Sequence, residues 1–315
     1  MGQLISLIRY NAIMIGRFAP SPTGPLHFGS LLTAVGSYLE AKSQQGLWYL
    51  RIEDLDPPRE VAGSTIAIIQ SLTDHGFQWD GDVVYQSQRI HQYEQVLKQL
   101  KSQQQVYACD CSRQRIAQHP LNQTKPKNSV PVYPNHCRHR THVNPPCAWR
   151  IKTDLSLMTV YDQLQPDYSQ CLLTEVGDFV IKRKDDLFAY HLAVVVDDAA
   201  QAVTQVVRGI DLMDATPRHL WLQRCLKYTT PHYLHLPVIV NDNLEKLSKQ
   251  TLAPAIHVDT AAHNLVRCLK ALGQDPPYAL SQKPVATIWQ WAKQHWQRQN
   301  IPQVAYIKYQ DIQLL

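Results

Sequence analysis

Arg17-Phe18-Ala19-Pro20-Ser21-Pro22-Thr23-Gly24-Pro25-Leu26-His27-Phe28-Gly29-Ser30 joins two kinds of local structure across a rigid loop. Ahead of its loop, Ala12 to Phe18 is a largely apolar run of strand length. Within it, Pro20, Pro22, Gly24 and Pro25 interrupt both a strand ladder and a helix. Behind it, Leu31, Val35 and Leu39 recur at helical spacing until Gly46 stops the pattern. Trp48, Leu50 and Ile52 then alternate with Tyr49, Arg51 and Glu53, as residues on two faces of a strand do. Strand, helix and strand in that order make a βαβ unit, whose right-handed crossover puts both strands in one parallel sheet. An open α/β sheet is the expected fold class.

The same stretch carries chemistry. His27 and Gly29 stand where the strand has ended and the helix begins, so backbone amides and the positive end of the helix dipole favour a phosphate there. A histidine can donate to phosphoryl oxygens, and a glycine lets a nucleotide approach the backbone closely. No G-x-x-x-x-G-K-[ST] run occurs, and no G-x-G-x-x-G follows the first strand, so neither a P-loop nucleotidase nor a dinucleotide enzyme is supported.

Outward from this unit, helical patterns run through Val61 to His75 and Ile90 to Gln105, where Tyr93, Leu97 and Leu100 mark one face. From Val106 to Pro146 the chain turns to Cys, His, Pro and basic residues with little periodicity, which reads as an inserted module. Strand-like runs resume at Ala148 to Lys152 and Cys171 to Arg183, and Tyr190 to Val196 reads as a buried sheet strand. A helix is expected near Thr216 to Lys227. After Val238 to Val240 a loop leads to Lys246-Leu247-Ser248-Lys249-Gln250, and the remainder reads as helical, with Val285, Ile288 and Ala292 on one face. Its tryptophans are expected in the core. Domain limits are expected as 12–105 and 190–242 for the two halves of the α/β domain, 106–189 for the inserted module and 243–315 for a lysine loop and C-terminal helical region.

The 315 residues suffice for about two domains and a core without disulfides. Apolar residues make up 44% and charged residues 18%, which excludes compositional disorder. Lys and Arg outnumber Asp and Glu by 31 to 26, an excess that suits an anionic partner such as nucleic acid. No apolar run approaches the roughly 20 residues of a membrane span, and Arg9 and Tyr10 interrupt the N-terminal stretch, so a cytoplasmic protein with no membrane role is expected. Seven cysteines in that compartment read as thiols or metal ligands.

With Lys246-Leu247-Ser248-Lys249, the opening stretch resembles the paired "HIGH" and "KMSKS" signatures of class I glutamyl-tRNA synthetases. Leu50-Arg51-Ile52-Glu53-Asp54 and Val207-Arg208-Gly209 match that family too, so the resemblance spans most of residues 15 to 250 in order. Ser30 stands in place of the first motif's second histidine, and Gln250 in place of the second motif's final serine. Only residues 251 to 315 follow the lysine motif, too few for anticodon-binding domains, which directs the resemblance to the short paralogues, the glutamyl-queuosine tRNA(Asp) synthetases.

The resemblance implies a class I synthetase Rossmann-type sheet with an inserted zinc-containing module and a C-terminal helical segment contacting the RNA stem. It implies ATP-dependent, tRNA-independent activation of L-glutamate, with Mg2+ on the ATP, then transfer to queuosine in the anticodon stem-loop of tRNA(Asp). His27 and Lys249 would act on the reacting phosphates, with Gly29, Lys246 and Ser248 also binding ATP. Glutamate carries two carboxylates and one ammonium, so its site needs fixed cations and one anion, which Arg17, Arg208 and Glu53 supply. Phe18, Ala19, Pro20, Ser21 and Tyr190 complete the pocket by resemblance, with Glu53 facing the ammonium group. Asp197 and Asp198, placed after a strand, read equally as loop caps and stay outside this set. A shortened synthetase charging a tRNA 3′ end and a catalytically silent zinc-containing RNA-binding protein are the competing readings.

Cys109 and Cys111 form a C-x-C pair, with Cys137 beyond a Pro-rich loop, and three thiolates suit tetrahedral zinc. Chemistry leaves the fourth ligand open among His119, His136, His139 and Cys147. The short paralogues' C-x-C followed by Y-x-x-x-C points to Tyr133. Cys147, Cys171, Cys225 and Cys268 read as small hydrophobes.

Overall fold

The computed structural model describes residues 13–123, 130–247, 256 and 258–313. Strand β1 (Ile15–Phe18) runs into the loop, and helix α1 (Phe28–Lys42) follows. The α1 N-terminus is capped by the His27 side chain, which accepts from the Ser30 amide, and its last-turn Lys42 reaches Asp80 at 2.6 Å. Gln45 takes a positive φ of 57° and the chain turns at Gly46 into β2 (Leu47–Ile52), which lies parallel to β1 from Ile15 opposite Leu47 to Phe18 opposite Leu50. Helix α2 (Ser64–Asp74) crosses to β3 (Val84–Tyr85), parallel to β2 on its other side, and α3 (Ile90–Ser102) follows.

An antiparallel region interrupts this pattern. Strands β4 (Val106–Cys109) and β5 (Ala148–Ile151) pair, with helical turns α4 (Arg113–Ala117) and α5 (Pro120–Gln123) between them. A hairpin of β6 (Leu157–Val160) and β7 (Tyr168–Cys171), the turn α6 (Leu172–Glu175) and β8 (Phe179–Lys182), which pairs with β5, complete it. The strand-like run Cys171 to Arg183 is therefore broken by a helical turn.

Tyr190 to Val196 is not a strand but the start of helix α7 (Tyr190–Ala200). Residues 192 to 198 are all buried, so this helix is covered on every side there, and its apolar run 192 to 196 has the pattern of a covered strand. Packing against α3 and α8 (Thr216–Leu226) overrides the local strand preference of three consecutive valines. Strand β9 (Gln205–Gly209) lies beside β1, with a backbone bond of 2.9 Å from Thr204 N to the Ile15 carbonyl just ahead of it, and pairs in parallel with β10 (His232–Leu236) in a ladder of their own. The order β3-β2-β1 then β9-β10 reverses between β1 and β9, the point in such sheets where ligands bind at the carboxyl ends.

The chain continues through β11 (Val238–Val240), α9 (Ala261–Ala271) and α10 (Val285–His295) to β12 (Tyr306–Lys308) and α11 (Tyr309–Gln313). Strand β12 pairs in parallel with β11, so the last part is not wholly helical. The main core lies between α1, the sheet and helices α9 and α10. Trp48, Tyr38, Phe77 and Trp289 pack as a ring group there, with Tyr38 to Trp289 centroids 4.7 Å apart. A second core joins α3, α7 and α8 to β4, β5 and β8.

Candidate active site

A cleft of about 770 Å³ opens at the carboxyl ends of β1 and β9. It is lined by Arg17, Phe18, Ala19, Pro20, Ser21, Glu53, Tyr190 and Arg208, all the expected glutamate residues, and also by His27, Gly29 and Lys246. Arg17 and Arg208, 191 positions apart in sequence, thus meet because β1, the end of β2, the start of α7 and β9 converge at the carboxyl ends of the strands.

The arginines in and behind the cleft are held differently. Arg17 is buried and makes a two-point contact with Asp198, Nε to Oδ1 at 3.0 Å and Nη2 to Oδ2 at 3.3 Å. Arg51, fully buried, reaches the same carboxylate at 2.8 Å, Gln201 at 2.7 Å and Glu53 at 3.4 Å. Burial favours a neutral Asp198, but the Arg17 and Arg51 guanidiniums outweigh it and hold its carboxyl below the usual range. Glu53 has less support: burial dominates over Arg51 and Arg17 and pushes its carboxyl up to about 7. Arg208, on β9, donates instead to Tyr190, His219, His235, Thr216 and the Leu212 carbonyl, none of them charged acceptors.

At the other end of the cleft His27 caps α1. Its Nδ1 accepts from Ser30 N at 3.3 Å and its Nε2 lies 3.0 Å from Ser30 Oγ, so the residue in place of the motif's second histidine steadies the first. A Cβ on Gly29 would sit 3.2 Å from the His27 ring, which explains the glycine. Lys246 Nζ reaches Asp211 at 2.5 Å. Ser248, Lys249 and Gln250 lie outside the described residues.

Away from the cleft, Cys109, Cys111 and Cys137 bring their sulfurs within 4.8 Å of one another, with Cys111 and Cys137 3.6 Å apart. Zinc with bonds of roughly 2.3 Å in tetrahedral geometry needs sulfurs roughly 3.8 Å apart, so the spacing fits. The Tyr133 hydroxyl stands 3.3 Å from the Cys109 sulfur and 4.0 Å from that of Cys111. Among the described residues no histidine joins the three thiols in such a set, so His119, His136 and His139 are left out, as is Cys147. Arg150 donates to the Cys109 sulfur at 3.2 Å and lies over the Tyr133 ring. Burial pushes the Cys111 thiol up to about 12 and raises the Tyr133 phenol, so their ionisation needs the strong positive charge a divalent metal supplies. Of the other cysteines Cys268 is buried, while Cys147, Cys171 and Cys225 are half-buried.

Residues 14–267 match the family model described as tRNA synthetases class I (E and Q), catalytic domain. A glutamyl-Q tRNA(Asp) synthetase of Dechloromonas aromatica is 49% identical over 93% of this chain and 97% of its own length. The chain belongs to the glutamyl-Q tRNA(Asp) synthetase family. Another member, from Pseudomonas aeruginosa, is 44% identical over 92% of this chain and 96% of its own. The solved glutamate-tRNA synthetase of Elizabethkingia anophelis superposes with a TM-score of 0.77 at 22% identity, covering 96% of this chain and 70% of that one, and shows the shared fold. The protein is thus a ligase of the class I synthetases.

Within this glutamyl-Q tRNA(Asp) synthetase family member, the residues that sequence reading missed lie behind the cleft. Asp198 is not a loop cap but the buried counter-ion of two arginines, and Asp197 accepts from Gln86 at 2.8 Å, Arg89 at 2.6 Å and Tyr93 at 2.7 Å. The signal was present: two acids at the end of an apolar run are buried with it and need partners. His219 and His235 carry no motif and no sequence signal. Among the described residues no helix is long and apolar enough to cross a membrane.

Proposed function

We propose that this protein activates L-glutamate with ATP without needing tRNA, and transfers it to queuosine in the anticodon loop of tRNA(Asp). The observation that carries the reading is near-full-length identity of 44–49% to relatives bearing the name glutamyl-Q tRNA(Asp) synthetase. The cleft supports it chemically, offering cations for two carboxylates and Glu53 for an ammonium group.

In the first step an oxygen of the glutamate α-carboxylate attacks the α-phosphorus of ATP and pyrophosphate leaves; Mg2+ arriving with the ATP would supply neutralising charge to its phosphates. Arg17 and Arg208 orient the amino acid, Tyr190 and Ser21 border it, and residues Phe18 to Pro20 supply the wall. His27, with Lys249, donates to the phosphates as charge builds, and Gly29, Lys246 and Ser248 hold the nucleotide. In the second step a hydroxyl of the queuosine cyclopentene ring attacks the glutamyl carbonyl carbon, an ester forms, AMP leaves and the hydroxyl proton is released. No protein nucleophile is needed.

One structural zinc would be held by Cys109, Cys111, Cys137 and Tyr133, giving the 106–189 segment a fixed centre, while 243–315 would meet the RNA stem. The residue range 12–105 with 190–242 would form the catalytic domain, in the cytoplasm. The test is transfer of labelled glutamate to CCA-trimmed tRNA(Asp) with and without queuosine. Label confined to the queuosine-containing trimmed RNA is expected; charging only of untrimmed tRNA would make the protein a 3′-end synthetase instead.

A further inference from the structure

Arg208 is almost fully buried, and its N–H donors meet five protein acceptors, of which Tyr190 and Leu212 line the cleft and can yield a donor to a bound carboxylate. Nε donates to His235 Nε2 at 3.2 Å, Nη1 to the Tyr190 hydroxyl at 3.2 Å and His219 Nδ1 at 3.3 Å, and Nη2 to Thr216 Oγ1 at 2.6 Å and the Leu212 carbonyl at 3.2 Å. Among the described residues no carboxylate lies within the 4.0 Å of an ion pair, in contrast to Arg17 and Arg51, which share Asp198. Tautomers follow from the bonds. His235 Nδ1 faces Asp162 at 2.6 Å, so it carries the proton and leaves Nε2 to accept from Arg208. His219, accepting at Nδ1, donates from Nε2 to His191 Nδ1 at 3.2 Å. Each ring is thereby fixed as neutral. Burial agrees, pushing His191 down to about 3 and holding His219 and His235 below the usual histidine range, with the Arg208 charge adding to it.

Resting on the glutamate reading above, we propose that His219 and His235 are positioning residues that fix the Arg208 guanidinium through neutral acceptors, reserving its full charge for the side-chain carboxylate of the amino acid. The chemistry singles out that carboxylate. The α-carboxylate loses its charge when it becomes the acyl phosphate, whereas the side-chain carboxylate stays ionised throughout and is what distinguishes glutamate from glutamine. A partner carboxylate in the place of either ring would satisfy the same donors and abolish this selectivity, which is why hydrogen bonding without charge is required. Asp162 contributes at one remove, by setting the His235 tautomer.

The test compares His219→Gln with His219→Glu, side chains of one shape that differ in charge, so any structural cost of losing the ring is common to both. In glutamate-dependent pyrophosphate exchange, His219→Glu is expected to raise the glutamate KM over His219→Gln by roughly a hundredfold, the scale of a close charge pair in a partly buried site. The ATP KM should agree between the two, and the preference for glutamate over glutamine should collapse in His219→Glu alone. Equal glutamate KM values in the two variants would overturn the proposal. A wild-type protein whose exchange and melting temperature both ignore glutamate would instead overturn the glutamate reading, and this assignment with it.

Discussion

Glu53 is the residue where burial has the clearest functional consequence. Its carboxyl, normally near 4.5, is raised to about 7, so between those values the folded protein holds a proton that the unfolded chain has released. Its contribution to stability therefore falls as pH rises through that window. An ammonium group beside Glu53 reverses the preference and favours the ionised form. Glutamate binding should then release a proton near neutrality, and affinity should rise by about tenfold from pH 6 to pH 8 before levelling off. Calorimetric titrations of glutamate at the two pH values measure this. In Glu53→Gln the pH dependence should vanish and affinity stay low; an unchanged slope would place the titrating group elsewhere. At this scale the lining residues Arg17, Glu53 and Arg208 were legible because motifs carry them, and Tyr190 only through the family resemblance. The residues holding them, Asp198, His219 and His235, were not, since each acts through a contact made only when distant elements meet.

Elements were legible where their pattern had one interpretation. The strand-loop-helix from β1 to α1 and the alternation in β2 are unambiguous, whereas the apolar run in α7 fits a buried helix and a buried strand equally, and only its packing against α3 and α8 decides. Misreading α7 also misplaced Asp197 and Asp198, which a helix of eleven residues carries into the core instead of past a strand end. Close packing of α1 on β10 is a second property visible only in three dimensions. A Cβ on Gly36 would lie 2.5 Å from Leu236 Cδ1, itself fully buried. Overpacking of this kind costs about 1–3 kcal/mol, while replacing a mid-helix glycine with a better helix former regains at most about 1 kcal/mol. Gly36→Val is expected to lower stability by about 2 kcal/mol, read as a lower urea midpoint. Because Leu236 follows His235, the same variant should also raise the glutamate KM; an unchanged midpoint would mean that Leu236 moves aside freely.

Across the whole molecule the cleft and the cysteine cluster belong to different cores. Among the described residues, those lining the cleft come from 17–53, 190–212 or 237–247, and none from the antiparallel region. The sheet of that region is anchored from its other side, where Val106, Ile151 and Phe179 pack with Tyr93, Leu97 and Leu192 of α3 and α7. Tyr107, Cys109, Cys111, Tyr133 and Cys137 form a separate small cluster with little apolar surface, which the zinc proposed above would cross-link. The sequence marked the cysteines by their C-x-C pair, but not the packing of the antiparallel sheet against α3 and α7, which depends on long-range contacts. Local unfolding should follow these boundaries. Stripping the proposed zinc with a chelator, or Cys137→Ser, is expected to expose residues 110–123 and 130–147 to trypsin while glutamate-dependent pyrophosphate exchange stays within about threefold of the untreated protein. Elemental analysis should show the zinc lost in step with protection. Exchange lost together with the metal would mean that the cluster supports the cleft through α3 and α7; retained zinc in Cys137→Ser would remove Cys137 from the ligand set.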